Sequence, residues 1–356
     1  MKIVICTTLY PLGGRQGAMG VTDAIRTIAQ GLSKNMECTV SVVRMRAMLS
    51  RGGIHRKKTH KDESIRVYDY PIFPCASLDI NWMTRWINRD CYKLLKDSDH
   101  IVCHMADHAF RTCLLYPEFR HKIIYVIHAN DVLQPEFMKY ALKHCSKVLT
   151  RTDRLKSIVE QKYISKIRGT VFSGIKQEDN VSLFDVEKNK IIYAGSLIKR
   201  KNIDILIEGI NIVSTIYPDI KLEIIGDGPE FNNLSSINAK FDIKFSGSLP
   251  QDAVFERMCN SDIFVMPSVR ETLGLVYLEA MNRMNKVIGT KGEGIDGIIV
   301  DGVNGFLIEE LSAKSIAEKI IEAIECDNSV VENARNTSKE YSIDQSIKNY
   351  KKLISN

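Results

Sequence analysis

Two glutamates, Glu271 and Glu279, bracket the segment Glu-Thr-Leu-Gly-Leu-Val-Tyr-Leu-Glu, and three consecutive cations, Lys199, Arg200 and Lys201, precede it in the chain. Carboxylates accept hydrogen bonds from hydroxyls, and an arginine fork beside lysine point charges suits the oxygens of a diphosphate. The combination fits a polyhydroxylated molecule that carries phosphate. A buried strand, Asp262-Ile-Phe-Val-Met, ends in Pro267-Ser268 before Glu271, and Gly274 opens a helix that carries Glu279. The backbone N–H groups of Leu273, Gly274 and Leu275 then lie at a helix start, where an anion or a sugar oxygen binds favourably. Gly274 lets a ligand approach the backbone.

Further turns and strand ends have the same character. Ile224-Ile-Gly-Asp-Gly-Pro-Glu230 places Gly226 and Gly228 in a tight strand-to-helix turn, and Phe245-Ser-Gly-Ser-Leu-Pro250 places Leu249 in another. His128 and His104 each end an apolar run. A histidine at a strand's carboxyl end can hydrogen-bond a ligand and respond to developing charge. Leu12-Gly-Gly-Arg-Gln-Gly-Ala-Met-Gly20 spaces its glycines as Gly14, Gly17 and Gly20, which is not the dinucleotide pattern, and no acidic residue ends the next strand. A nicotinamide cofactor is disfavoured. Asp97-Ser-Asp99 precedes a strand and reads as a turn, not a metal site.

The elements that must position these residues alternate β and α throughout. Expected strands are Lys2–Thr8, Cys38–Arg46, Ile65–Tyr70, His100–His104, Lys122–His128, Lys147–Thr150 and Gly169–Phe172, several of them apolar almost throughout, as in a parallel sheet covered on both faces. A polar stretch from Gln177 to Asn189 is the expected linker. A second series has strands at Ile191–Ala194, Lys221–Ile225, Ile243–Phe245, Ile263–Met266 and Lys286–Gly289, with helices at Ile203–Ile216 and from Glu230 and Gln251. The expectation is an α/β chain of two doubly wound, Rossmann-like domains, residues 1–175 and 190–340, facing across a cleft that holds the ligand. A final helix spans about 341–356.

The 356 residues suffice for two complete cores. No apolar run approaches the ~20 residues of a membrane span, and the first strand is too short for a signal-peptide core, so a cytoplasmic location is expected. Nine scattered cysteines without a Cys-x-x-Cys pair argue against a disulfide framework and a zinc site. The net charge of +6 is unevenly spread: residues 1–175 hold 28 Lys+Arg against 15 Asp+Glu, and residues 176–356 hold 21 against 28. A basic first domain points to an anionic partner. Arg51 to Lys61 reads as a mobile cationic loop, and Asn81 to Lys96 as an amphipathic segment with Trp82, Met83, Trp86 and Ile87 flanked by Arg85, Arg89, Lys93 and Lys96. Aromatics beside cations suit an anionic membrane surface, while the plainer alternative packs this segment on its own sheet. Nucleic acid is disfavoured, because no reader motif accompanies the basic residues.

The run from Pro267 to Ile308, with Glu271 and Glu279 as a Glu-x7-Glu signature and the Gly-rich Glu-Gly-Ile-Asp-Gly-Ile-Ile-Val-Asp-Gly-Val-Asn-Gly-Phe after it, resembles the nucleotide-sugar site of retaining glycosyltransferases of GT-B fold, the group 1 family. The resemblance implies transfer of a sugar from a UDP- or GDP-linked donor to a lipid-linked or cell-surface glycan, without a metal or other cofactor and at the inner face of the membrane. Arg200 and Lys201 would hold the donor diphosphate, Glu271 the sugar, Glu279 the ribose and His128 the sugar or acceptor. Gly226, Gly228 and Leu249 would line the nucleotide, and Gly17 and Gly20 would lie over the phosphate. The family more often has glycine where Asn202 stands, and many members carry arginine where Ser196 stands. The final helix would cross back onto the first domain. Two rivals are a sugar-nucleotide epimerase or hydrolase of the same fold, which needs acid/base groups and no acceptor, and a non-catalytic binder of nucleotide sugars, which has no need of both glutamates and the basic pair.

Overall fold

The structure is a computed structural model that describes residues 1–8, 10, 21–35, 38–47, 49–50, 53–54, 57–72, 89–114, 116–159, 161–178 and 186–355. The chain divides into two units, Met1–Gly174 with Ile343–Asn356, and Ile175–Ser342. The C-terminal helix, Ile343–Ser355, groups with the first unit.

The first unit contains β1 (Lys2–Thr7), β2 (Thr39–Ala47), β3 (Leu49–Ser50), β4 (Gly53–Ile54), β5 (Lys58–Asp62), β6 (Ile65–Ile72), β7 (His100–His104), β8 (Ile123–Ile127), β9 (Lys147–Thr150) and β10 (Ile167–Thr170). Its main sheet runs β10-β9-β8-β7-β1-β2-β6-β5 and is parallel except for the β5–β6 pair. Consecutive residues Ile3 to Cys6 are all buried because their alternate side chains enter two separate cores. On one face Ile3 and Ile5 pack with Ile25, Ile28 and Leu32, and with Ile347, Tyr350 and Ile354 of the C-terminal helix. On the other, Val4 and Cys6 join Leu95, Phe110 and Leu142. Cys6, Cys103 and Cys113 meet there with their sulfur atoms within 4.8 Å of one another, a convergence that their scattered sequence positions concealed.

The cationic stretch ending at Lys61 is not the expected loop over its last four residues. Lys58–Asp62 is an edge strand antiparallel to β6, with His60 opposite Val67. It has little apolar content, and its anchor is Asp62, which accepts from Tyr10 Oη at 2.7 Å and from Arg26 Nε and Nη2 at 2.8 and 2.6 Å. Lys residues on such an edge discourage pairing with another sheet. Trp82, Met83, Arg85, Trp86 and Ile87 lie outside the described residues. The following helix, Arg89–Lys96, buries Cys91 and Leu95 in its own domain's core and exposes Arg89, Lys93 and Lys96, so this part of the segment follows the plainer packing alternative. Among the described residues no helix is long and apolar enough to cross a membrane.

The second unit contains β11 (Glu187–Ala194), β12 (Lys221–Ile225), β13 (Asp242–Gly247), β14 (Ser261–Val265), β15 (Lys286–Thr290) and β16 (Phe306–Ile308). All are parallel, in the order β13-β12-β11-β14-β15-β16. Numbered within the unit this is 3-2-1-4-5-6, the Rossmann order. β11 begins three residues inside the expected linker, because Glu187 pairs with Ser261 and its carboxylate holds Lys221 at 2.7 Å. The short β16 and the helices Ala313–Glu325 and Ser329–Lys339 complete the unit.

Candidate functional site

Strand order reverses between β11 and β14, and the carboxyl ends of the strands at such a switch point are where doubly wound sheets bind ligands. The loop after β11 carries Lys199, Arg200 and Lys201 in a single 3-10 turn, and the loop after β14 carries Glu271. The two meet. Lys201 Nζ donates to Glu271 Oε2 at 2.6 Å and Arg200 Nη1 donates to the same oxygen at 3.0 Å. Lys201 also reaches Met266 Sδ at 3.2 Å, and its side chain is only 8% exposed, against 32% for Arg200.

Burial alone would raise the Glu271 carboxyl, but Lys201 and then Arg200 outweigh it and hold the group below the ordinary glutamate value. Burial depresses the Lys201 ammonium more than Glu271 restores it. One carboxylate between two cations leaves the pocket with an excess positive charge suited to an anion.

Local structure explains why these groups are held. Asn202 ends the cationic turn at φ 51°, ψ 42°, a left-handed conformation that asparagine tolerates better than most residues. Its Nδ2 donates to the Pro267 carbonyl at 2.8 Å, and Val269 N donates to the Arg200 carbonyl at 2.9 Å, so the two loops are tied by one side-chain and one backbone bond. Gly274 caps the helix Leu275–Asn282 at φ 69°, where an added Cβ would stand 2.7 Å from the Tyr277 ring. Leu273, Gly274 and Leu275 occupy the helix start that the sequence indicated. Glu279 lies one turn in, accepting from Gln251 Nε2 at 3.2 Å, and burial pushes its carboxyl up despite Arg283.

Gly226 and Gly228 follow β12, and Leu249 follows β13. These turns are stitched to the cationic loop and to each other: Leu197 N donates to the Asp227 carbonyl at 2.9 Å, Glu230 N to the Leu197 carbonyl at 3.1 Å, and Gly226 N to the Gly247 carbonyl at 2.8 Å. The second unit therefore gathers Arg200, Lys201, Glu271, Leu273, Gly274, Leu275, Glu279, Gly226, Gly228 and Leu249 along the carboxyl ends of adjacent strands.

In the first unit, His128 follows β8 and is 4% exposed. Its Nε2 lies 3.1 Å from Nδ1 of His104, the last residue of β7. Asp131 fixes this corner by accepting from His128 N at 2.8 Å and from Ala106 N at 2.7 Å. Burial, reinforced by nearby Arg151, takes His104 down to about 3 and His128 well below its usual value, so both imidazoles are neutral. Gly17 and Gly20 lie outside the described residues.

The sequence profile of the family described as glycosyl transferases group 1 matches residues 174–343, the whole of the second unit. The match to the glycosyl transferases group 1 family is thus a property of the second unit. Among curated relatives it is similar to an uncharacterized glycosyltransferase of Methanocaldococcus jannaschii, 26% identical over 63% of this chain and 63% of the relative. It is also similar to a lipopolysaccharide core biosynthesis glycosyltransferase of Rhizobium meliloti, 31% identical over 39% of this chain and 40% of that one. The matched stretches span less than two thirds of either relative. Among solved structures, Anabaena HepE, crystallised in complex with UDP and glucose, is matched over 100% of this chain and 99% of its own at a TM-score of 0.68 and 16% identity. That likeness concerns the fold, two Rossmann-like units of the GT-B type.

Within the group 1 domain two contacts escaped the sequence reading. Glu293 Oε2 accepts from Glu271 N at 2.9 Å, and a Cβ on Gly294 would stand 1.8 Å from the Thr272 carbonyl oxygen. The Gly-rich run after β15 thus braces the Glu271 loop from behind. Its glycines were visible, but a carboxylate serving another residue's backbone N–H leaves no spacing signal. Asn202 was visible only as a departure from glycine, and its left-handed φ supplies the reason that the two residues are interchangeable there.

Proposed function

We propose that the protein is a retaining glycosyltransferase that moves a sugar from a nucleotide-diphosphate donor, UDP- or GDP-linked, to a lipid-linked or cell-surface glycan. The observation that carries this reading is the convergence of Arg200 and Lys201 on Glu271 at the switch point of a group 1 domain. The UDP named with the Anabaena neighbour and the lipopolysaccharide role named for the rhizobial relative support the donor and acceptor classes.

In this reading the donor diphosphate takes the place that Glu271 now fills between the two cations. The anomeric carbon–oxygen bond breaks, the electron pair leaves with the diphosphate, and Arg200, Lys201 and the N–H groups at Leu273 to Leu275 stabilise the developing charge. The acceptor hydroxyl attacks from the same face and gives its proton to a phosphate oxygen. Glu271 turns to the sugar hydroxyls, Glu279 holds the ribose, Gly226, Gly228 and Leu249 line the base, and His128 serves the sugar. The leaving group's charge is met by protein cations, so no metal ion is assigned a role. A cytoplasmic, membrane-peripheral location accompanies this acceptor class.

The test is thermal unfolding of the full chain with a panel of nucleoside diphosphates and their sugars. One nucleoside diphosphate should raise the midpoint, by about 2 °C or more, in wild type and not in Arg200→Gln/Lys201→Met. A panel without any shift in wild type would remove the donor reading.

A further inference from the structure

Arg151 stands directly after β9, at the carboxyl edge of the first unit's sheet, and is 6% exposed. A guanidinium keeps its charge in proteins, and enclosing an ion without a counter-ion costs several kcal/mol. Arg151 Nη2 donates to Ser173 Oγ, its Nε has no hydrogen-bond partner, and no carboxylate among the described residues forms an ion pair with it.

The surroundings are polar and equally incomplete. Arg151's charge acts on His104, His128 and Tyr350. His104 Nε2 is enclosed without a partner in hydrogen-bond geometry, and the Tyr350 hydroxyl lies beside the Arg151 guanidinium. Tyr350 comes from the C-terminal helix, and its ring stacks on His104 with centroids 6.2 Å apart. A buried cation and unpartnered polar atoms therefore gather where the ends of β7, β8 and β9 meet the C-terminal helix. Beyond the strand ends is where doubly wound sheets bind ligands, and Arg151 and neighbouring Thr152 retain 6% and 7% exposure.

We infer that Arg151, with Ser173, Tyr350 and the histidine pair, binds an oxyanion, a phosphate or a carboxylate, carried by the acceptor substrate. The inference rests on the transfer reading above and narrows the acceptor to an anionic molecule. Arg200 and Lys201, assigned above to the donor diphosphate, belong to the other unit, and the Arg151 centre is assigned to the acceptor's anion. The planar fork of arginine matches either oxyanion.

The experiment is thermal unfolding of the full chain in titrations of inorganic phosphate and, separately, malonate, at constant ionic strength. Wild type, Arg151→Gln, Arg151→Lys and Arg200→Gln/Lys201→Met are compared. At least one anion should stabilise wild type and the Arg200/Lys201 double variant, and the anion that does so names the oxyanion class. Arg151→Gln should weaken that response by about tenfold or more in apparent Kd, while its shift with nucleoside diphosphate is retained. Arg151→Lys keeps the charge and loses the fork, so an intermediate weakening is expected, which decides the matter if Arg151→Gln does not fold. Equal responses in wild type and both Arg151 variants, or none in wild type, would overturn the site; a purely structural Arg151 changes the midpoint in buffer and not the anion shift. An Arg151-dependent phosphate response without any nucleotide shift would sink the transfer reading and leave the anion site standing.

Discussion

Glu271 is placed so that it offsets part of the charge of Arg200 and Lys201 before a ligand arrives. Glu271→Gln strands the Lys201 ammonium, and losing one partner of a fully buried pair costs roughly 3–5 kcal/mol. Glu271 and Arg200 keep some solvent, so about 2 kcal/mol is expected here. A nucleoside diphosphate supplies the missing negative charge, so its stabilising shift should be larger in Glu271→Gln than in wild type; an equal or smaller shift would mean that the diphosphate does not occupy this place. His104 gives a second test. Its imidazole is neutral when folded, down to about 3, and titrates near 6.5 when unfolded. The unfolded chain therefore binds the extra proton between those values, and this contribution, fully present above 6.5, is lost as pH falls toward 3. Asp107 and Asp131, both pushed up to about 6 by burial, act in the opposite direction in wild type and variant alike. In His104→Gln, denaturant midpoints measured from pH 7 to 5 should fall less steeply, the difference closing by about 1.4 kcal/mol per pH unit below 6.5. Parallel curves would show that His104 is charged in the folded protein.

At the scale of elements, the cationic turn depends on one left-handed residue. Asn202→Gly should change stability by less than about 0.5 kcal/mol, while Asn202→Ala should cost about 1–2 kcal/mol, since alanine disfavours φ 51° and cannot reach the Pro267 carbonyl. Denaturant unfolding of the two variants checks this, and equal losses would show that the side-chain bond outweighs the backbone. Elements of this kind were largely legible. His100–His104, Lys147–Thr150 and Lys221–Ile225 match their expected bounds because two-sided burial makes an apolar run with charged ends. The Glu271 to Glu279 strand–loop–helix was equally clear, since Pro267 and Gly274 punctuate it. Lys58–Asp62 was not, because an edge strand needs no apolar residues and draws its order from Tyr10 and Arg26, remote in sequence. The contacts of Glu293 and Arg151 were invisible for a related reason: they are set by tertiary packing and leave no local period.

Across the whole molecule, the two Rossmann-like units could be counted from the sequence because alternation of β and α repeats on both sides of a polar stretch. The C-terminal helix is where chain order and domain membership part. Its amphipathic stripe shows that it packs, but not on what; Ile347, Tyr350 and Ile354 enter the core of the first unit beside Ile25 and Ile28. Lys147 Nζ and Asn349 Nδ2 add bonds to the Ile354 and Thr170 carbonyls, at 3.1 and 2.8 Å. Burying each of the three large side chains contributes about 1.5–3 kcal/mol, a total comparable to the whole stability of a domain. Truncation after Ser342 should therefore unfold the first unit and leave Ile175–Ser342 intact, with its 2.8 Å bond from Ile175 N to the Tyr341 carbonyl preserved. Calorimetry should show the loss of one transition, and limited proteolysis should release a stable fragment beginning near residue 175. Retention of both transitions would mean that the first unit's sheet is stable without this cover, and loss of both would mean that the second unit cannot stand alone.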